Sequence, residues 1–299
     1  MTAITAEHVA IAELVVYIPT SLLTIFVVLR HGFHKQLGWI YLSIFCGIRV
    51  AGAILQILSH NNPSNTDELE WAVILQAVGL SPLLLASLGL LKRIFDEITT
   101  RVPSSKGNQI VQTLARSRGP LGVLLGLYNR KATAVSRRSR VVQLLHIPAL
   151  VSLILAIAGG TDQNSSNPSD QKSGRTEMRA AIILFLILYI ALAFLWIITA
   201  RDVSGMVTTQ KRIYFVVFLA LPFLAVRMLY SLLGVFGNHP QFSMFGGSVS
   251  VRLGMAIVEE FVVVVLYTVL GIFTPRANGG DAEQVSRPNV GHGRPEKRR

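Results

Sequence analysis

VRLGMAIVEEFVVVVLYTVLGIF, residues 251–273, is apolar enough to cross a bilayer, yet it carries Arg252 near one end and the adjacent pair Glu259 and Glu260 near its middle. A helix needs roughly 20 apolar residues to cross a hydrocarbon core about 30 Å thick. Seven stretches meet that length: about 8–29, 38–58, 71–91, 141–158, 179–199, 213–236 and 249–273. Charged residues make up only 15% of the chain and hydrophobic ones 51%, whereas soluble domains run near 25% charged. The fold class these numbers imply is all-α, a polytopic bundle of seven transmembrane helices occupying residues 1–275.

The loops between the seven stretches carry turn punctuation, as in SHNNPSNTDE (59–68), TDQNSSNPSDQKSG (161–174) and GNHPQ (237–241). Lys and Arg fix the orientation. They number two in 30–37, eleven in 92–140, three in 200–212 and six after 273. On the other side there are none before the first span, none in 59–70, two in 159–178 (Lys172 and Arg175) and none in 237–248. Basic loops stay cytoplasmic, so the expected topology has the N-terminus outside and the C-terminus in the cytoplasm. The net charge of +12 is thus a topology signal, and no nucleic-acid-binding signature accompanies it. The N-terminal run lacks a basic leader and carries Glu7 and Glu13, so it reads as the first span. Asn164-Ser165-Ser166 is a glycosylation sequon in a loop assigned to the outside. Cys46, the single cysteine, excludes an intrachain disulfide and reads as a packing residue.

The long cytoplasmic loop 92–140 contains GPLGVLLGLY (119–128), too short to span and expected at the interface. RKATAVSRRSR (130–140) is basic and juxtamembrane. It serves first as a positive-inside anchor, with anionic lipid headgroups as partners within reach. The tail 276–299, rich in Gly, Pro and charge, is expected to be a disordered basic extension.

Charges inside the spans are the informative feature. Glu259 lies ten residues into the seventh span, roughly 15 Å deep at 1.5 Å per residue, near the mid-plane. Arg49 is central in the second span, Arg227 lies in the outer half of the sixth, and Glu13 in the outer part of the first. Gln56 falls on the face of Arg49. A charge at the bilayer centre costs at least about 2.5–3.5 kcal/mol, so these side chains should face one another. The expectation is a buried or water-lined polar cluster of Arg49, Arg227, Arg252, Glu13, Glu259, Glu260 and Gln56, with Arg49, Arg227 and Glu259 facing the bundle interior and at least one Arg–Glu contact between helices. Glu259 and Glu260 point about 100° apart on a helix, so one can pair while the other stays free to titrate. Such a cluster serves either as interhelical ion pairs or as a pocket for an unknown small-molecule ligand.

Four prolines, Pro19, Pro82, Pro148 and Pro222, fall inside spans and permit kinks. A shift of 178 residues aligns Arg49 with Arg227 and Phe45 with Phe223, but other matches are no more frequent than chance. No zinc-protease, P-loop, nucleophile-elbow or dinucleotide fingerprint occurs. His31 and His34 lack acidic or cysteine neighbours and read as part of a solvated basic loop, and His146 as an interface histidine. No cofactor or metal is implied, and no catalytic residue.

The Gly38-Trp39 start of the second span, the central arginine of GIRVAG (47–52), Arg227 and the glutamate-bearing seventh span together resemble a family of fungal seven-span membrane proteins known as a domain of unknown function. The resemblance covers roughly residues 5 to 275. It implies an integral membrane protein and brings no activity with it. In topology alone the chain is similar to fungal lipid-translocating exporter-like and stress-response membrane proteins. The leading expectation is a protein that binds or transports a small polar or amphipathic solute through a charged cavity. A receptor-like signalling protein and a lipid-organising protein are the alternatives, in the plasma membrane or an endomembrane.

Overall fold

The computed structural model describes residues 6–31, 37–61, 66–101, 137–163, 165, 167–201, 203–237, 240–242 and 247–274. Among them every regular element is helical, with no strand. Seven helical segments are long and apolar enough to cross a membrane: Ala6–His31, Gly38–Asn61, Asp67–Asp96, Val141–Gln163, Pro168–Ala200, Thr208–Phe236 and Val249–Phe273. Each overlaps one of the stretches read from the sequence. The helices overrun those stretches: the third continues to Arg101 and the fourth begins at Arg137, so both ends of the segment read as the loop 92–140 are helical. The interfacial segment 119–128, the tail after 275 and the sequon at Asn164 lie outside the described residues.

Large apolar side chains such as Leu22, Phe26, Ile154, Ile190, Phe215 and Phe273 stand exposed on the outside of the bundle. In water that surface would be an aggregation liability; against lipid it is solvated. The third span is the centre of the bundle. Of its most apolar stretch 78% is buried, against 22% to 50% in the other six. Trp39, Phe45, Ile74, Leu83, Leu88 and Tyr267 form part of the core around it.

Close helix approaches are made by glycine. A side chain at Gly159 would come within 2.8 Å of the Gly174 carbonyl oxygen, and one at Gly174 within 2.7 Å of the Gln163 nitrogen. The fourth and fifth spans therefore touch backbone to backbone where they meet, as small residues allow in membranes. At the opposite end, Arg30 donates to the Ile272 carbonyl (2.8 Å) and His31 Nε2 pairs with the Gly271 carbonyl (2.8 Å). These side chains of the first span satisfy the last carbonyls of the seventh, which a helix end leaves without partners. His31, stacked on Trp39, is thus a helix cap, which corrects its reading as a solvated loop residue. The signal was hidden because the accepting carbonyls are about 240 residues away in the chain.

Two spans depart from regular helix, and both departures build the site. The third divides at Gly79 into Thr66–Val78 and Leu80–Arg101. Pro82, which has no N–H to give the preceding turn, follows directly. Pro19, Pro148 and Pro222, by contrast, sit within unbroken helices. The seventh span begins as Val249–Arg252, passes through a π-helical turn at Leu253–Ile257, and continues as Val258–Phe273.

Candidate functional site

The π turn decides which glutamate enters the bundle. An α-helix advances about 100° per residue, so Glu259 would share the face of Arg252 in a regular helix. A π turn holds one extra residue and displaces everything after it by about that angle. Glu260 consequently takes the azimuth that regular geometry assigns to Glu259. Glu260 is fully buried (0% exposed), whereas Glu259 is half-buried at the side.

Glu260 receives two guanidinium groups. Arg227 Nε donates to its Oε1 at 2.6 Å and Arg49 Nη2 donates to its Oε2. Both arginines are buried as well, at 4% and 2% exposure. The Gln76 backbone carbonyl accepts from Arg227 Nη2 at 2.9 Å and more weakly from Arg49 Nη2 at 3.5 Å. That carbonyl lies in the last turn before the Gly79 break, where helical carbonyls lose their own partners. The guanidinium of Arg49 packs 5.4 Å from the Phe45 ring centroid, and that of Arg227 5.3 Å from Tyr230, within the range of cation–π attraction. Glu13 is a looser member, its carboxylate 4.0 Å from Arg49 Nη1.

Gly79 makes room for this arrangement. A methyl group there would lie 2.9 Å from Arg49 Nη2 and 3.1 Å from the Phe45 ring. The break in the third span therefore supplies both an acceptor and a space for the arginine.

The structure brings part of the expected set together. Arg49, Arg227, Glu13 and Glu260 come together, and Arg252 borders them. The expected Arg–Glu contact between helices is present, but the inward position expected of Glu259 belongs to Glu260, because the π turn shifts the register. Gln56 is buried two turns beyond Arg49 and takes no part in the cluster. His146 is half-buried in the fourth span, bonded to the Val142 carbonyl at 2.8 Å. Cys46 is buried and unbridged.

Beside the cluster lies a small cleft of about 50 Å³, partly open to the surroundings. Its charged lining among the described residues is Arg49, Arg227 and Arg252, with no carboxylate. Gln76, Tyr230 and Ser231 add polar atoms. The remaining wall is apolar, notably Leu80, Ala156, Met178, Ile182 and Phe185. These residues come from the middle of the second and fifth spans, the first half of the third, the last turns of the fourth and sixth and the first turns of the seventh. The cleft therefore occupies the half of the bundle nearest the N-terminus. Sequence reasoning missed the apolar wall, since residues such as Met178 and Phe185 look like any core positions of a span.

The model of a family described as a domain of unknown function (DUF7702) matches residues 4–128 and 117–277. No curated protein and no solved structure matches the chain.

Proposed function

The chain belongs to this family of unknown function, and from the cleft we propose that it is an integral membrane protein that binds, and carries across the bilayer, a small amphipathic solute of negative charge. One observation carries the reading: among the described residues three guanidinium groups and no carboxylate line a cleft whose other walls are mostly apolar. Ion pairs that merely fix helix order need no cavity. Buried charges beside a cavity mark ligand pathways in membrane proteins. An apolar pocket with a few convergent polar groups is the usual form of a small-molecule site. The anionic end of the solute meets the arginines and its apolar part lies along the fourth and fifth spans.

The positive-inside pattern supports an N-terminus outside the cytoplasm and a cleft facing that side. The two breaks in the third and seventh spans flank the cluster, and irregular backbone at membrane depth is tolerated where it lines a cavity. Interrupted helices of this kind form the substrate sites of many transporters.

The test is uptake by liposomes containing the full chain, using radiolabelled alkyl carboxylates, alkyl sulfates and alkyl phosphates, with alkylammonium ions and alcohols as controls. Saturable uptake of at least one anionic class, competed by its unlabelled form and absent with cations, is the expected result. Binding without flux would replace transport by reception, and absence of any anion binding would defeat the reading.

A further inference from the structure

The three arginines of the cleft are not equivalent. Arg49 and Arg227 are committed to Glu260 and the Gln76 carbonyl. Arg252 is different. Its Nε and Nη2 are buried and make no hydrogen bond among the described residues. These two nitrogens form one edge of the guanidinium plane, the edge that meets a carboxylate side-on through two parallel hydrogen bonds. A buried donor without an acceptor costs free energy, more for a charged group. Two on one edge mark a place where an acceptor belongs.

The groups around Arg252 limit that acceptor. Three guanidinium groups line the cleft, the carboxylates buried beside them are those of Glu13 and Glu260, and half-buried Glu259 acts electrostatically on Arg227. Glu13 attracts Arg252 electrostatically, while its ion pair is with Arg49 at 4.0 Å. Tyr230 and Arg49 are the other polar groups acting on Arg252. Glu259 lies about 100° round the helix from Glu260 and does not line the cleft. The Nε–Nη2 edge of Arg252 offers two parallel donors, which match the two oxygens of one carboxylate.

We propose that Arg252 receives the ligand's charged group, and that this group is a single carboxylate carried on an apolar chain. This rests on the reading of the cleft as an anion site and narrows it to one residue and one ligand class. The carboxylate takes the Nε–Nη2 edge of Arg252. The chain lies against Ala156, Met178, Ile182 and Phe185, which are buried on the fourth and fifth spans. Arg49 and Arg227, anchored on Glu260, hold the seventh span in place and contribute field without taking the ligand directly. Because Arg252 ends the first helical turn of the seventh span and Glu260 follows the π turn, the bulge sets the spacing between the ligand's arginine and the anchored one.

Equilibrium binding of radiolabelled laurate to the full chain in nanodiscs tests this, with empty nanodiscs as background and dodecanol and dodecyl phosphate as comparison probes at pH 8. Laurate should bind saturably, dodecanol should not, and dodecyl phosphate should bind about tenfold more weakly or worse. Arg252→Gln should weaken laurate about tenfold or more, and Arg252→Lys should fall between, since it keeps the charge and loses the fork. Unchanged laurate affinity in a folded Arg252→Gln, or in Arg252→Lys if the first variant does not fold, would overturn the proposal. So would equal affinity for dodecanol, or tighter binding of dodecyl phosphate. If the phosphate alone binds, the class is wrong and the anion-binding cleft survives. If no anionic probe binds, both readings fall together.

Discussion

Arg227 Nε donates to Glu260 Oε1 across 2.6 Å, and the carboxylate that accepts it has no exposed surface. Glu260 is thereby the single negative charge shared by two buried arginines from different spans. Removing one partner from a buried ion pair costs about 3–5 kcal/mol, because the other charge stays behind in a poor solvent. Glu260→Gln should accordingly lose about 3 kcal/mol or more of stability, read as a lowered midpoint of thermal unfolding in detergent. Glu259→Gln, at a half-buried site outside the cluster, should change stability by less than about 1 kcal/mol. Equal losses in both variants would contradict the register assigned to the seventh span.

The same pair shows where sequence reading stops. Seven spans were legible, since length and apolarity are local properties, and the cost of intramembrane charge was enough to bring Arg49, Arg227 and the glutamates together. The choice of Glu260 over Glu259 was not legible, because a π turn in Leu253–Ile257 leaves no mark on composition and inverts a judgement made from helical angles. Helix packing likewise hides the wall formed by Met178, Ile182 and Phe185. The 178-residue offset between Arg49 and Arg227 is instructive. Both bind Glu260 and the Gln76 carbonyl, yet Arg49 packs on Phe45, four residues before it, and Arg227 on Tyr230, three residues after. Shared chemistry at the centre is therefore reached by different local means.

Gly79 tests the space around Arg49. A methyl there would stand 2.9 Å from Arg49 Nη2, and the guanidinium would have to leave Glu260 to relieve it. Gly79→Ala should lower stability by about 1–3 kcal/mol, the usual cost of overpacking. Gly47→Ala is the control, since a side chain there meets nothing within 4 Å. It should be neutral or stabilising by up to about 1 kcal/mol, through helix propensity. Comparable unfolding midpoints for the two variants would show that Gly79 is merely a helix break.

The π turn makes a prediction about deletions. Removing Gly254, which is exposed, should let Leu253–Ile257 close into ordinary α-helix while Arg252 and the following Glu260 keep their faces. Folding and laurate binding should then survive with stability within about 1 kcal/mol of the parent. Deleting Val262, beyond the bulge, should instead rotate Val263, Val264 and Tyr267 away from the core in which they are fully buried. The buried Ser87–Tyr267 contact of 2.6 Å would be lost with them, and the protein should fail to accumulate. A folded Val262 deletion beside an unfolded Gly254 deletion would reverse the roles given to the two positions.

Orientation is open to a direct test. Twenty-two of the 28 Lys and Arg residues fall in 30–37, 92–140, 200–212 and after 273, the segments that the positive-inside rule assigns to the cytoplasm. The ends of the spans that form the cleft lie on the opposite side, where the connecting segments 59–70 and 237–248 carry no Lys or Arg. Single cysteines introduced there, after Cys46→Ala, should react with a membrane-impermeant maleimide in sealed right-side-out vesicles. Cysteines placed in 102–136 or after 275 should react only after permeabilisation. The outcome matters for function as well as topology: a cleft on the positive-poor side takes its anion from outside or from the outer leaflet. The reverse labelling pattern would mean that the arginines collect their ligand from the cytoplasm, and the direction of transport proposed for the cleft would have to be inverted with it.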